Sequence, residues 1–295
     1  MKGCADLKIS VSNYSYWNAI KKGEITPFEC IAKSAELGFD AIEFVDFVDF
    51  PAGKEDEWEE TAEKYRKECE RVGLEISSLT VSADLLKNRD NDIIKLKKYI
   101  DIAAMLGTHM MRHDATVGYP RDSAEYCSFD RVADTLAEAF REVTEYAAEK
   151  GIRTMTENHG FFSQDSDRVE KLYNAISHPN FGLLIDIGNF TCADENPVHA
   201  VTALAPFAIY VHAKDFIIKS FYDDDPGEGS FRTRAGNYLT GTIIGHGNVP
   251  VRQCLYQLKS CGYDGYIAVE FEGMENPFDG VRIGKDNIRK YWDQI

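Results

Sequence analysis

Four polar side chains stand at the ends of four successive apolar runs in this 295-residue sequence. Glu157 follows RTMT, Asp186 follows GLLI, His212 follows IYV and Glu270 follows IAV. If these runs are strands of one parallel sheet, their carboxyl ends bring the four side chains to a single edge. Three converging carboxylates repel one another and raise their pKa values unless a cation lies between them. The pattern therefore predicts a site for one divalent metal ion.

The expected donor set contains three carboxylates and one imidazole. Such a set suits hard to borderline cations better than thiolate-loving ones, and we expect Mn²⁺, Mg²⁺, Co²⁺ or Zn²⁺. A single glutamate at a strand end is more often a salt-bridge partner, and a single histidine more often a hydrogen-bonding residue. The metal interpretation rests on all four residues occupying consecutive predicted strand ends.

A repeating pattern predicts the elements that position these side chains. A helical stretch, a glycine and a short apolar run recur at 35–44, 69–79, 103–112, 147–157 and 259–270. The glycines fit helix C-caps, because glycine adopts the left-handed conformation without steric cost. Three further apolar runs lie at 7–12, 181–187 and 207–213. Eight strands alternating with helices predict a single α/β domain over 1–295, a (β/α)8 TIM barrel.

An open doubly wound sheet is the alternative to the barrel. The first strand is not followed by a G-x-G-x-x-G turn, and nothing divides the chain into halves, so the barrel is favoured. One long irregular stretch, 216–248, follows the seventh strand. It should lie on the C-terminal face, and we expect its part around 220–240 to fold over the mouth of the barrel.

Composition narrows the class of function and the compartment. The chain has 49 acidic and 33 basic residues and a net charge of -16, so a nucleic-acid partner is not expected. No apolar run approaches the roughly 20 residues that cross a bilayer, and no signal peptide is recognised. The seven cysteines include no C-x-x-C pair. These features predict a cytoplasmic protein with reduced cysteines that does not bind membranes.

Other polar residues of the predicted rim are candidates for substrate binding. His113 ends the fourth predicted strand, and His159 follows Glu157 closely. Arg232 lies in the 216–248 stretch and suits a carboxylate or phosphate. Neutralising the acidic run at 223–225 is an equally good role for this arginine.

The motifs resemble those of the xylose-isomerase-like barrel superfamily, the sugar phosphate isomerase and epimerase group. The similar pieces are GFDAIEF at 38–44, ENHG at 157–160, D-x-G-N at 186–189, H-x-K-D at 212–215, G-x-G at 245–247 and VEFEG at 269–273. The resemblance implies metal binding by Glu157, Asp186, His212 and Glu270. It also implies that the two glutamates form an acid–base pair.

Two positions in these motifs add to the candidate substrate-binding residues, Asn189 and Lys214. Asn189 stands where many relatives carry the histidine of D-x-x-H, and His246 lies inside G-x-G where an acidic residue is frequent. These departures, with the acidic composition, disfavour the DNA-repair endonucleases of the superfamily.

The expected reaction is proton transfer beside a carbonyl group of a small carbohydrate. A metal polarises the ketone, one glutamate removes the α-proton, and the other returns a proton to an enediolate. The product is an epimer or an isomer. The main alternative is a lyase or dehydratase acting on a keto-inositol or a 3-keto-glycoside, including C-glycoside cleavage with a small partner subunit. A non-catalytic sugar-binding barrel is the third interpretation, and a homo-oligomer is compatible with each.

Overall fold

Parallel strands alternate with helices along the part of the chain that the structure, a computed structural model, describes, residues 7–295. Eight of the strands close into a barrel in the order β1-β11-β7-β6-β5-β4-β3-β2, and neighbouring strands are parallel. The barrel strands are β1 (Lys8–Ser12), β2 (Ala41–Val45), β3 (Glu75–Val81), β4 (Met110–His113), β5 (Arg153–Glu157), β6 (Phe181–Asp186), β7 (Ala208–Ala213) and β11 (Tyr266–Val269). The predicted (β/α)8 barrel is therefore confirmed.

The helices form the outer layer of the barrel. They are α1 (Trp17–Lys21), α2 (Glu29–Glu36), α3 (Asp46–Asp49), α4 (Trp58–Val72), α5 (Arg89–Leu106), α6 (Phe129–Glu149), α7 (Ser166–Ile176), α8 (Pro197–Leu204), α9 (Val251–Ser260) and α10 (Pro277–Asp293). Short 3-10 helices lie at Asn13–Tyr16, Glu55–Glu57, Asn189–Ala193 and Ala205–Phe207. Within residues 7–295, no helix combines the length and apolar character needed to cross a bilayer.

Alternation along the strands separates the barrel interior from the helix layer. A small interior cluster is formed by Met155, Leu184, Tyr210 and Ala268. Each of these residues lies two positions before one of the four predicted metal ligands. Because side chains two apart in a strand share a face, the ligands project into the barrel directly beyond this cluster. The intervening side chains, Ile185, Val211 and Val269, belong to the larger core packed between strands and helices.

The connection between β7 and α9 is ordered, so the prediction of an irregular stretch was wrong. It contains β8 (Asp215–Lys219), β9 (Ser230–Arg232) and β10 (Tyr238–Thr242), which form an antiparallel sheet in the order β8-β10-β9. Sequence patterns missed these strands because they are only three to five residues long and their burial does not alternate regularly. We call residues 216–248 the crossover segment.

Asp215 connects the two ends of the crossover segment through hydrogen bonds. Its Oδ2 accepts hydrogen bonds from the amides of Gly245 and Gly247 at 2.8 and 2.9 Å. Its Oδ1 accepts from the amides of Val249 and Phe216 at 3.0 and 2.9 Å. A Cβ atom on Gly247 would lie 2.3 Å from the Asp215 carboxylate, so this position admits only glycine. The H-x-K-D and G-x-G motifs are thus two halves of one hydrogen-bonded unit.

The cysteines within residues 7–295 are free thiols, and most are buried. Cys4 lies outside the described residues.

Candidate metal centre

The side chains of Glu157, Asp186, His212 and Glu270 converge inside the C-terminal mouth of the barrel. Carboxylate oxygens of Glu157, Asp186 and Glu270 lie 3.7, 3.9 and 3.6 Å from Nδ1 of His212. One potential ligand atom from each of the four side chains lies within 4.8 Å of the others. The pairing of β6 with β7 contributes directly, because Asp186 and His212 are opposite each other in the strand register.

The ring of His212 is oriented by Glu43 of β2. Nε2 of His212 lies 3.1 and 3.0 Å from the two carboxylate oxygens of Glu43, and both side chains are fully buried. With Nε2–H donating to Glu43, Nδ1 is the ring atom that faces the three other carboxylates. Metal-binding histidines are commonly held in this way, because the second hydrogen bond fixes the tautomer and the ring orientation.

The carboxylate of Asp186 is positioned by the turn that follows β6. Its Oδ1 accepts hydrogen bonds from the amides of Gly188 and Asn189 at 2.8 and 2.9 Å. Gly188 is required for steric reasons, since a Cβ atom there would lie 2.4 Å from Cγ of Lys214. The D-x-G-N motif therefore positions the Asp186 carboxylate and leaves space for the aliphatic part of the Lys214 side chain.

Two buried polar atoms at the centre of the cluster lack a hydrogen bond within residues 7–295. They are Oδ2 of Asp186 and Nδ1 of His212. Nζ of Lys214 lies 3.1 Å from Oδ2 of Asp186 as an ion pair without hydrogen-bonding geometry. Buried polar atoms are normally satisfied, so this pair marks a position suited to a cation. Together with the donor set, it makes the buried cluster consistent with a divalent metal site.

Charges around the cluster divide into two groups. On one side, Nη2 of Arg112 lies 2.6 Å from Oε2 of Glu157 and 2.7 Å from Oδ1 of Asp114. Burial favours the neutral form of Glu157, but the Arg112 guanidinium and His212 lower the pKa of this carboxyl to about 2. The Arg112 contacts thus keep Glu157 ionised in a buried position.

Lys214 lies on the other side of the cluster. Its ammonium contacts Glu270 and lies 3.3 Å from Glu272. Burial favours the neutral amine, but the Asp186 and Glu270 carboxylates raise the pKa of Lys214 well above its ordinary value. Burial raises the pKa of Asp186 to about 7, although the Lys214 ammonium acts in the opposite direction.

A cavity of about 200 Å³ opens above the cluster. Glu157 and Glu270 line it, whereas Asp186 and His212 are fully buried beneath its floor. Charged groups therefore meet a ligand from the carboxyl ends of β2, β4, β5, β7 and β11. The other lining residues are Tyr14, Val45, Asp46, Phe47, Thr80, Ser82, Arg112, Asp114, His159, Lys214 and Glu272.

The predicted substrate-binding residues occupy different places. His159 and Lys214 line the cavity, and His159 Nδ1 lies 2.8 Å from Oδ1 of Asp114. Asn189 is buried behind the cavity and donates from Nδ2 to Oε1 of Glu157 at 2.8 Å, so it positions a candidate ligand.

The structure does not bring His113 or Arg232 to the cavity. His113 faces the helix layer, where its ring stacks on Phe140 at 4.5 Å. Arg232 donates to the Tyr238 hydroxyl at 2.7 Å and lies over that ring. No residue of the crossover segment lines the cavity, so the expectation that the segment covers the mouth is not supported.

Strand alternation could have identified Arg112, which the sequence prediction overlooked in favour of His113. Met110 packs against the interior cluster, so Arg112, two positions later, must face the interior. Asp114 and Glu272 follow strand ends, but no sequence pattern shows that they pair with Arg112 and Lys214.

The fold is a TIM barrel, and a carboxylate-rich candidate metal centre lies at its C-terminal mouth. The chain belongs to the xylose isomerase-like TIM barrel family, whose model matches residues 31–291. The inosose dehydratase of Klebsiella pneumoniae is 26% identical over 174 residues, which cover 57% of this chain and 58% of that protein. The chain spans about half the length of the curated relatives it matches.

Solved structures share the fold over nearly the whole chain. The probable 3-DHS dehydratase AsbF from Bacillus anthracis superposes with a TM-score of 0.73 at 18% identity, covering 95% of this chain and 98% of that chain. D-allulose 3-epimerase from Methylomonas sp. gives a TM-score of 0.69 at 17% identity, with coverages of 97% and 98%. At these identities the similarity establishes the fold alone.

Proposed function

We propose that this protein is a divalent-metal-dependent isomerase or epimerase that moves a proton beside the carbonyl group of a small keto-sugar or sugar phosphate. The observation that carries the proposal is the position of Glu157 and Glu270. Both belong to the candidate metal centre, and both also line the cavity above it. The two side chains thus combine metal binding with access to a substrate.

Glu157, Asp186, His212 and Glu270 would hold the metal. When bound, a divalent cation supplies Lewis acidity that lowers the pKa of a C–H bond next to a carbonyl group. One of the two glutamates removes this proton, and the electron pair moves toward the carbonyl oxygen. The other glutamate returns a proton to the opposite face of the same carbon or to the neighbouring carbon.

Supporting residues keep the acid–base pair in place. Arg112 holds Oε2 of Glu157, and Asn189 holds Oε1. Lys214 contacts Glu270 from the other side of the cavity. Since such contacts restrict the rotamers of both glutamates, they favour a fixed approach to a substrate carbon.

A dehydratase is the second candidate, and Lys214 favours it. The protonated amine lines the same cavity as the two glutamates. After a glutamate removes the α-proton, a hydroxyl group on the β-carbon leaves as water with a proton from Lys214. The similarity to an inosose dehydratase over about half of each chain supports this candidate as well.

Proton NMR in D₂O tests the first candidate, and ultraviolet absorbance of the same samples tests the second. The protein is incubated with Mn²⁺ or Mg²⁺ and with D-allulose, D-fructose, 2-keto-myo-inositol or a 3-keto-glucoside. Deuterium at the α-carbon of an epimer or isomer supports the first candidate, and an enone absorbing in the ultraviolet supports the second. Product formation without solvent exchange would contradict the proton-transfer reaction.

A further inference from the structure

A second cleft lies on the C-terminal face, outside the candidate metal centre. It is formed by the chain that follows β4, the turn that follows β5 and one residue of the crossover segment. Its volume is about 360 Å³. Its lining includes Arg121, Tyr126, Phe129, Phe161, Phe162, Arg168 and Arg234.

The charge of the cleft is opposite to that of the chain. The protein carries a net charge of -16, yet the lining of the cleft includes three arginines and, among the described residues, no acidic side chain. Asp165 behind the lining pairs with Arg234 at 2.7 Å and with Arg168 at 3.2 Å. Arg121 makes no ion pair within residues 7–295 and is exposed. One carboxylate thus compensates two guanidinium groups, and the third is left for an anion.

Aromatic rings form the apolar part of the same cleft. Phe129 and Phe162 pack with their centroids 5.6 Å apart. The Arg168 guanidinium lies 5.9 and 5.7 Å from these two rings. Tyr126 and Phe161 add rings that are 50% and 44% exposed. A planar ligand could therefore stack on a ring while its negative group meets an arginine.

The backbone at Phe161 is held in an unfavourable conformation. Its φ is +63°, in the left-handed region that non-glycine residues seldom adopt. The Phe161 amide donates to Oε1 of Gln164 at 2.5 Å, and its carbonyl oxygen accepts from Arg234. These contacts hold the backbone that carries the exposed ring. Strain of this kind persists where the surroundings impose it, which is frequent at binding sites.

We propose that this cleft binds a planar aromatic anion, such as an aryl carboxylate. The charge selects the anion, and the rings select a flat partner over an aliphatic one. The turn from His159 to Ser163 connects the cleft with the metal-centre cavity, because His159 lines that cavity and Phe161 lines the cleft. The aromatic anion is either the distal part of the substrate or a separate ligand. The inference does not depend on the reaction proposed above.

Calorimetric titration of the full protein with 4-hydroxybenzoate tests the site, with and without added Mn²⁺. Arg121→Gln and Arg168→Gln should each weaken binding by roughly tenfold or more, since each removes a charge-assisted contact. Phe161→Gly should weaken it about fivefold through loss of a stacking ring. Because glycine tolerates the positive φ, this variant should fold at least as well as the wild type. Arg71→Gln on α4, which removes an exposed charge paired with Glu68, is the matched control.

Three related probes sharpen the result. Cyclohexanecarboxylate keeps the charge without the ring, 4-hydroxybenzyl alcohol keeps the ring without the charge, and inorganic phosphate is a small anion alone. All three should bind at least tenfold more weakly than 4-hydroxybenzoate if both features are recognised. Equal binding of phosphate, or unchanged binding in both arginine variants, would overturn the proposal. Tighter binding of 4-carboxyphenyl β-D-glucoside than of 4-hydroxybenzoate identifies the cleft as part of the substrate site, and the reverse order identifies a separate ligand.

Discussion

Nε2 of His212 lies 3.0 Å from a carboxylate oxygen of Glu43, and this contact decides which ring nitrogen faces the candidate metal centre. Glu43 reaches His212 across the interior of the barrel from β2, whereas the four candidate ligands come from β5, β6, β7 and β11. The second strand therefore supports the site without belonging to it.

Glu43→Gln should weaken metal binding by about 10–100-fold, because the uncharged amide holds the imidazole less firmly and lowers its basicity. Titration with Mn²⁺ followed by calorimetry or by electron paramagnetic resonance measures this change. Glu75→Gln is the control, because Glu75 is an exposed carboxylate at the opposite end of the barrel that pairs with Lys8. An affinity equal to that of the wild type would show that Glu43 serves folding alone.

His212→Ala should lower metal occupancy and activity together. The substitution removes the only nitrogen among the candidate ligand atoms and leaves three carboxylates in close proximity. Elemental analysis of the purified variant, with circular dichroism to verify folding, checks the prediction. Full occupancy in this variant, or an active wild-type protein without metal, would contradict the assignment of the centre.

Asp215→Ala should destabilise the fold by about 3 kcal/mol, because several backbone amides lose their acceptor at once. Hydrogen exchange should become faster at Gly245, Gly247 and Val249, which donate to this carboxylate. Asp223→Ala is the matched control, since Asp223 is exposed and accepts from the Ser220 amide in the same segment. Equal stability of the two variants would exclude the role of Asp215 in closing the crossover segment.

The fold and the convergence of the four candidate ligands were predictable from sequence for a common reason. The alternation of side chains between the two faces of a strand and the polar residue at its carboxyl end are local patterns. These patterns directly identify Glu157, Asp186, His212 and Glu270. The contacts of Asp215 and Glu43 join residues that are 30 and 169 positions from their partners. Such contacts depend on how the barrel closes, which no local pattern contains.

The sequence prediction placed His113 incorrectly, and for a different reason. The sequence prediction treated it as a rim residue because it is a histidine at a strand end. Its neighbour Arg112 has the interior position, and a one-residue difference in a strand exchanges the two faces. The crossover segment shows a third cause, since its strands are only three to five residues long and give no regular alternation of buried and exposed side chains.

The buried His113 should make stability depend on pH in the acid range. Burial lowers the pKa of this imidazole to about 4, from an ordinary value of 6.5. The folded state therefore resists protonation, so the contribution of His113 is complete above pH 6.5 and is lost as the pH falls toward 4. The loss amounts to about 3 kcal/mol at most. His113→Phe keeps a ring that can stack on Phe140, and its unfolding free energy should fall less between pH 6.5 and 4. Urea denaturation at several pH values measures the difference, and parallel curves for the two proteins would refute it.

Glu157→Gln and Glu270→Gln should both retain the fold and much of the metal but lose turnover. The amide preserves the size of the side chain and one oxygen ligand while removing the group that accepts a proton. Positioned acid–base catalysis contributes about 10²–10⁴-fold, and each variant should lose at least that much in kcat. Asn189→Ala is a useful comparison, because it leaves both glutamates in place and adds no charge while removing the hydrogen bond to Oε1 of Glu157.

Solvent exchange separates this mechanism from its main competitor. The wild-type protein should introduce deuterium from D₂O at the α-carbon of its substrate, and both glutamine variants should do so far more slowly. If the wild type forms product with no exchange and the substrate hydrogen is retained, the hydrogen moves directly between carbons as a hydride. The four candidate ligands would keep their place in that case, because metal binding does not depend on which group carries the hydrogen. Glu157 and Glu270 would then act as ligands only, and their glutamine variants would lose activity in proportion to the metal that they lose.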